Sequence, residues 1–462
     1  MLIGCAVFAH AQTATEPERL VRLNVVAVDA SGQPASGLTA ADFQIADQGK
    51  AQSIALFRGA GLPPATVPFH ANRPVSGAHT TAILFDFLEE NRAERLDASK
   101  KMAASLKRLD PGESLYLYVL APDGQLVPLH EMKDPAAPPD KTWLGDIDKL
   151  LAGAIKSQNK DRPMGMGNED VVKKAYVALE TLGNQLAAFP GRREIVWVTN
   201  AVPYVMNPQI QCKADWWDCA LYVPHLTVTL ERAGVAVDPF SYTSLDVNTS
   251  RTMEELAGLT GGRAYLNQDL GDVIQQFGKQ GEGTYSIAWA PPASNWDSKF
   301  HRLKLTCERK GVKLLARDHY YALPDQRATA MRRQAFMVAA YQSSADVSDI
   351  GFRAALSPGS SPNTLKVEVR IDPADLVLSE KQGQATGGIT LLFSARSANG
   401  PQGEPTLADL DFTLTPEMRA AASKDGIAVS RQYPIDGATR VVRLIVADRA
   451  TDAVGSLTIP VQ

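Results

Sequence analysis

The chain reads as an α/β protein: a doubly wound, mainly parallel sheet inserted in a β-sandwich, plus a C-terminal β-sandwich. Three observations carry that reading. First, Thr81-Ala-Ile-Leu-Phe-Asp86 has the pattern of a buried strand, ends on an aspartate, and runs through Phe-Leu-Glu-Glu-Asn91 into an amphipathic stretch. A strand that ends this way puts a carboxylate at the carboxyl edge of a sheet, where open α/β folds bind their ligands. Second, strand-like and helix-like segments alternate from Thr81 to Phe277, as in a parallel sheet covered on both faces. Third, the strand groups at 20–57 and 284–317 are each too small to bury a face. Doubly wound folds have close termini and insert readily into a loop of another domain. The two groups are therefore expected to share one sandwich.

The elements follow in order. Leu20–Val28 alternates as a half-buried strand should, Asp29–Pro34 is a turn cluster, and strands follow at 37–45 and through Phe57. The Pro- and Gly-bearing stretch Gly59 to His79 reads as a linker. In the helix predicted over Asn91–Leu109, Leu96, Ala103, Leu106 and Leu109 share a face, and Asp110-Pro-Gly112 stops it. Ser114–Leu120 and Gln125–Leu129 are strands around Asp123-Gly124, and Trp143–Ile155 is a helix. Val172, Ala175, Leu179, Leu182, Leu186 and Phe189 repeat at spacings of three and four, marking a long helix. Glu194–Thr199 is the apolar run of a central parallel strand. Segments at 226–233, 235–240, 253–259, 263–266 and 270–277 complete the alternation.

Strands return at Thr284–Trp289, Lys299–Thr306 and Val312–Arg317, followed by a polar, helix-prone connector. Strands at 364–371, 388–395, 426–432, 440–448 and 456–461, separated by Gly/Pro/Ser turns, predict an antiparallel sandwich. The expected organisation is a signal-peptide remnant over 1–11, an N-terminal β-module over 19–58 and the doubly wound domain over 79–280. Completing strands over 281–322, a connector over 323–361 and the C-terminal sandwich over 362–462 follow.

With 462 residues, two or three domains are expected. The charge of −4 and pI of about 6.0, with no basic stripe interleaved with aromatics, argue against nucleic acid. No internal apolar run approaches the roughly 20 residues that span a bilayer, so the chain is not expected to cross a membrane. Met1–Gln12 reads as the tail of a secretory signal, with an apolar run ending in the small-x-small site Ala9-His10-Ala11. Leu2-Ile-Gly-Cys5 also fits a lipoprotein box, but the residues after Cys5 stay apolar, which favours cleavage after Ala11. Secreted or periplasmic localisation follows.

Cys212 and Cys219 bracket Lys-Ala-Asp-Trp-Trp-Asp, a spacing suited to a local disulfide in an oxidising compartment. Such a bridge would contribute roughly 2–3 kcal/mol. Cys307, in an alternating strand, is expected to be a buried small hydrophobe. Trp216 and Trp217 inside that loop are candidate ligand contacts, because exposed Trp is enriched in binding hot spots. Equally, one indole can pack beneath the loop as a local core.

Seven segments in order now align: "VRLNVVAVDASGQPASGLTAADFQIADQGKAQSI", "TAILFDF", "GRREIVWVTN", "LERAGVAVDPFS", "LAGLTGGRAYLNQDLGDVI", "YSIAWAP" and "HRLKLTCERKGVKLLARDHYYA". Together they resemble the VWFA-related domain proteins of Acidobacteria over roughly residues 20 to 322, and "VVRLIVADRATDAVGSLTIPV" suits that family's C-terminal sandwich. The resemblance implies a von Willebrand factor type A, Rossmann-like domain. In such domains a divalent metal at the sheet's carboxyl edge is held by an Asp and two Ser of the first loop, a Thr of the second and an Asp of the third. Here Asp86 fits the first position, but Leu88 and Glu90 replace the serines. Pro163–Asn168 offers no threonine, and the third loop is Thr199-Asn200-Ala201. Too few fixed oxygens remain for the octahedral geometry that Mg²⁺ demands. The expectation is a degenerate edge of Asp86, Glu90, Asn91 and Asn200 with no Mg²⁺, Mn²⁺ or other cofactor, Asp86 serving as a cap for the following helix.

The seven histidines show no metal or His-Glu spacing, and neither a Gly-x-Ser-x-Gly elbow nor a phosphate-binding loop occurs. No catalytic residue is expected. His301 reads as a sheet-surface residue and His319 as part of a packed strand end. The functional expectation is a non-enzymatic binding or adhesion protein for an extracellular or envelope protein or polysaccharide. The alternatives are a scaffold subunit of an envelope assembly and, behind it, an unrecognised hydrolase.

Overall fold

The computed structural model describes residues 20–59, 69–72, 79–88, 91–109, 114–132, 140, 142–158, 168–187, 189, 192–201, 219–280, 283–324, 329–342, 346–347, 349–381, 383–397, 400–401, 403–451 and 453–461. The signal segment, Glu90, the Pro163–Gly167 loop, Cys212, Trp216 and Trp217 lie outside them. Cys219 opens a helix, but its side chain and the expected bridge also lie outside.

The central sheet has six strands. In chain order they are His79–Asp86, Ser114–Leu120, Leu126–His130, Arg192–Val198, Val235–Ser241 and Tyr265–Leu266, and in space they run 3-2-1-4-5-6. All neighbours are parallel except the second and third strands, which form an antiparallel edge hairpin. Period-two alternation gives the four inner strands two buried faces, while the edge strand Leu126–His130 is only partly buried. Ala82, Leu84, Ile195, Trp197 and Val237 pack with the residues of helices Asn168–Leu186, Cys219–Ala233 and Val247–Thr260. Ile83, Phe85, Val196, Val198 and Phe240 pack with those of Arg92–Leu106, Ile147–Ser157 and Leu270–Gln280.

Helix Arg92–Leu106 departs from the expected face at one residue, Leu96. Leu96 is 41% exposed, whereas Arg95 is buried. Ala103, Leu106 and Leu109 are buried as expected, while at the first turn the Arg95 guanidinium donates to the Phe87 carbonyl and lies 5.1 Å over the Phe87 ring.

Two four-stranded sheets draw strands from both sides of this segment. Val21–Val28 lies between Lys313–Leu315 and Thr284–Trp289, with Leu56–Arg58 beyond. Phe43–Asp47 pairs with Phe300–Cys307, which in turn pairs with His319–Tyr321, and Lys50–Gln52 closes the other edge. Between them sits a core of Leu23, Val25, Phe43, Tyr285, Ile287 and Trp289. Cys307 is half-buried at its margin rather than enclosed.

The last sandwich pairs a sheet of Ile427–Pro434, Thr364–Ile371 and Phe352–Pro358 with one centred on Gln384–Ser397 and Val441–Asp448. It therefore begins at Phe352, ten residues before the expected boundary. Helix Thr329–Gln342 covers its outer face through Met337 and Ala340. The 59–79 stretch is more than a linker, because His70–Ala71 adds a short strand to Phe352–Pro358. Among the described residues, no helix is long and apolar enough to cross a membrane.

Candidate functional site: the carboxyl edge of the sheet

In a 3-2-1-4-5-6 sheet the strand order reverses between the first and fourth strands, and a crevice opens outside their carboxyl ends. Asp86 and Thr199 stand at that point. Asp86 is fully buried. One carboxylate oxygen accepts from the Leu88 amide at 2.8 Å, while the other accepts from the Trp197 indole at 3.1 Å and lies 3.2 Å from the Thr199 hydroxyl. Both carboxylate oxygens thus have protein contacts. Asp86 and Trp197 meet because both lie on the same face of adjacent parallel strands, where Leu84 is in register with Trp197.

The remaining edge is a chain of short polar contacts. Ser241 donates to Asn200 Oδ1 at 2.9 Å and lies 3.2 Å from the Thr243 hydroxyl. Thr199 also approaches the Ala201 carbonyl at 2.8 Å, which ties down the turn after the fourth strand. Asn200, the amide in the third-loop position, is therefore used inside the fold. Asn91, not Asp86, caps the first helix. Its side chain accepts from Ala93 and Glu94 amides at 2.9 and 3.1 Å, and the Glu94 carboxylate accepts from the Asn91 amide at 2.8 Å. That capping box satisfies the helix start five residues downstream of the expected cap. Beside these groups, at the start of the helix after the fifth strand, Val247 is 82% exposed.

Two buried polar groups escaped sequence reasoning. On the opposite face of the sheet, near its amino end, His79 Nε2 lies 2.7 Å from Glu194, which also accepts from Arg192 Nε at 2.6 Å. Burial pushes the Glu194 carboxyl up, but the Arg192 charge and the His79 contact outweigh it and hold it below its usual range. Asp238 accepts from the Arg263 amide at 2.7 Å, while its other oxygen is buried without a hydrogen-bond donor. Burial, then the nearby Glu194 charge, holds Asp238 well above the usual carboxylate range against the pull of Arg192. Charged residues inside apolar strands, as in "REIVWV" and "VAVDPF", were the available signal.

In the N-terminal sandwich His301 is buried rather than at the sheet surface. Its ring nitrogens lie 3.0 Å from Asp47 and 3.1 Å from Asp297. Tyr320 and Asn295 donate to the other Asp47 oxygen, both at 2.9 Å. His225 pairs with Glu180. Histidine–carboxylate pairs thus exist, most of them between residues far apart in sequence, as in His79–Glu194, His225–Glu180 and His301–Asp47. Among the described residues, no group of three or more His, Cys, Asp or Glu side chains is placed to hold a metal.

No family model and no curated protein matches the chain. Solved structures to which it is similar include a von Willebrand factor type A protein from Catenulispora acidiphila, at 9% identity and TM-score 0.29, covering 72% of this chain and 82% of that one. An aerotolerance-related membrane protein from Bacteroides fragilis is 11% identical with TM-score 0.28, over 44% of this chain and 98% of that one. The open pilus adhesin SpaC from Lactobacillus rhamnosus GG is 8% identical with TM-score 0.28, over 91% of this chain and 56% of that one.

Proposed function

We propose that this is a secreted or periplasmic, non-enzymatic binding protein that recognises a protein or polysaccharide without a metal. In this reading, 79–280 is a von Willebrand factor type A domain of the Acidobacterial VWFA-related kind, inserted in the N-terminal sandwich. The single observation that carries the metal-independent part is Asp86, buried at the switch point with both oxygens met by Leu88, Trp197 and Thr199. A cation there would compete with those contacts, and Asn200 offers no carboxylate to compensate. Exposed residues at this edge include Thr243, Ser244, Asp246, Val247 and Asn248, a small mixed surface suited to a macromolecular contact.

The test is capture of a partner from the envelope fraction by the mature chain, repeated in Mg²⁺ and in EDTA. Capture is expected to be indifferent to EDTA and lost in Thr243→Arg and Val247→Glu. Capture that survives both substitutions but fails in Leu407→Glu, on an exposed strand of the last sandwich, would overturn the proposal in favour of a scaffold whose sandwich makes the contact.

A further inference from the structure

We propose that residues 69–72 are a strap that locks the C-terminal sandwich to the rest of the chain, with Asn72 as its key. The chain leaves the first sandwich at Arg58 and enters the doubly wound sheet at His79. Between those points it crosses to the C-terminal sandwich, where Ala71 pairs with Arg353 and His70 with Ala354. Arg353 lies 5.5 Å over the Phe69 ring, extending the contact by one residue.

Asn72 is buried and spends its whole side chain on one segment. Its Oδ1 accepts from the Phe352 amide at 2.9 Å, and its Nδ2 donates to the carbonyls of Val347 and Ile350 at 2.8 and 2.9 Å. A side-chain amide offers an acceptor and two donors in one planar group, which neither a carboxylate nor a hydroxyl supplies in this arrangement. The gripped segment is held from its other side as well. Ser456 exchanges two bonds with Val347, each of 2.8 Å. A Cβ at Gly455 would lie 2.1 Å from the Ile350 carbonyl and 3.0 Å from Asn72 Nδ2, so only glycine admits this approach. Asp375 accepts from the Gly351 amide at 3.0 Å and faces Arg58 at 3.7 Å, and Arg22 reaches to 3.9 Å from Asp349.

The arrangement has a mechanical consequence. Asn72 lies fourteen residues before Asp86, so the strap is a direct covalent line from the C-terminal sandwich to the strand that carries the site edge. In the proposed arrangement, opening this pairing would free the sandwich to move relative to the sheet. Yet the strap is only two paired residues, the Phe69–Arg353 contact and the backbone and side-chain bonds of Asn72, few enough to open before either sandwich does. It is a lock that can release.

The experiment uses the full mature chain as wild type and Asn72→Ala, read by residue-resolved hydrogen exchange and small-angle X-ray scattering. Losing three side-chain bonds is expected to speed exchange around Gly351–Ala354 by about tenfold or more. The radius of gyration should rise while far-ultraviolet circular dichroism stays unchanged. If N72A does not fold, Asn72→Ser, which keeps a smaller polar group, gives the same readouts. Unchanged exchange overturns the proposal. Faster exchange with an unchanged scattering profile also overturns it, because Asn72 would then hold its neighbours without holding the sandwich in place.

Discussion

Replacing Trp197 by Phe tests whether the indole takes the place of a cation at Asp86. The substitution keeps an aromatic ring in a fully buried position and removes the Nε1–H that donates to Asp86 at 3.1 Å. A hydrogen bond to a charged group contributes about 1.5–3 kcal/mol. The smaller ring leaves a void of a few tens of Å³, which at about 24 cal/mol per Å³ adds about 1 kcal/mol. W197F is therefore expected to cost about 2.5–4 kcal/mol. A cycle with Asp86→Ala separates the two contributions, since only the hydrogen bond is shared between the sites. The assay is urea unfolding followed at 222 nm, where the six helices of the doubly wound segment dominate. The m-values must agree across the four proteins for the comparison to hold. Coupling of about 1.5–3 kcal/mol is expected. Coupling below about 0.5 kcal/mol, within ordinary additivity error, would refute the idea that the indole holds the carboxylate.

Asp238 predicts a pH effect of definite sign. Its folded pKa is raised above the ordinary 3.8, so its contribution is most favourable below that value and is lost as pH rises through the folded pKa. Asp238→Asn should therefore raise Tm at pH 7, with a gain that shrinks toward pH 4; equal melting at both pH values sinks the argument. Glu194 runs the other way, stabilising above its ordinary 4.5 and losing that support as pH falls through its lowered value, so Glu194→Gln should flatten the acid limb. Millimolar Mg²⁺ is expected to leave Tm unchanged, since any ligand bound only by the folded state raises it by mass action; a rise of several degrees contradicts the metal-free edge. A thiol count after denaturation without reductant should find one group, Cys307, and a count of three excludes a Cys212–Cys219 bridge. Cleavage within 60–68 should leave residues 20–58 bound, because Val21–Val28 and Phe43–Asp47 pair with strands beyond residue 283; separation without denaturant contradicts that pairing.

The sequence by itself determined the alternation of strands and helices, the long helix at 168–186 and the aspartate at the end of the first sheet strand. These are local properties, set by side-chain period and by the residues that end each element. It also determined that the loops lack the serines and the third-loop carboxylate of a metal site, because residue type alone decides which groups can ligate. The tertiary structure decided what Asp86 touches. Trp197 and Thr199 lie 111 and 113 residues away, and they reach it only because the first and fourth strands are neighbours in register. The same holds for the burial of His79 against Glu194, of His301 against Asp47, and for the strap at Asn72. Strand order and register arise from packing the whole chain at once, and no window of sequence contains both partners of such a contact.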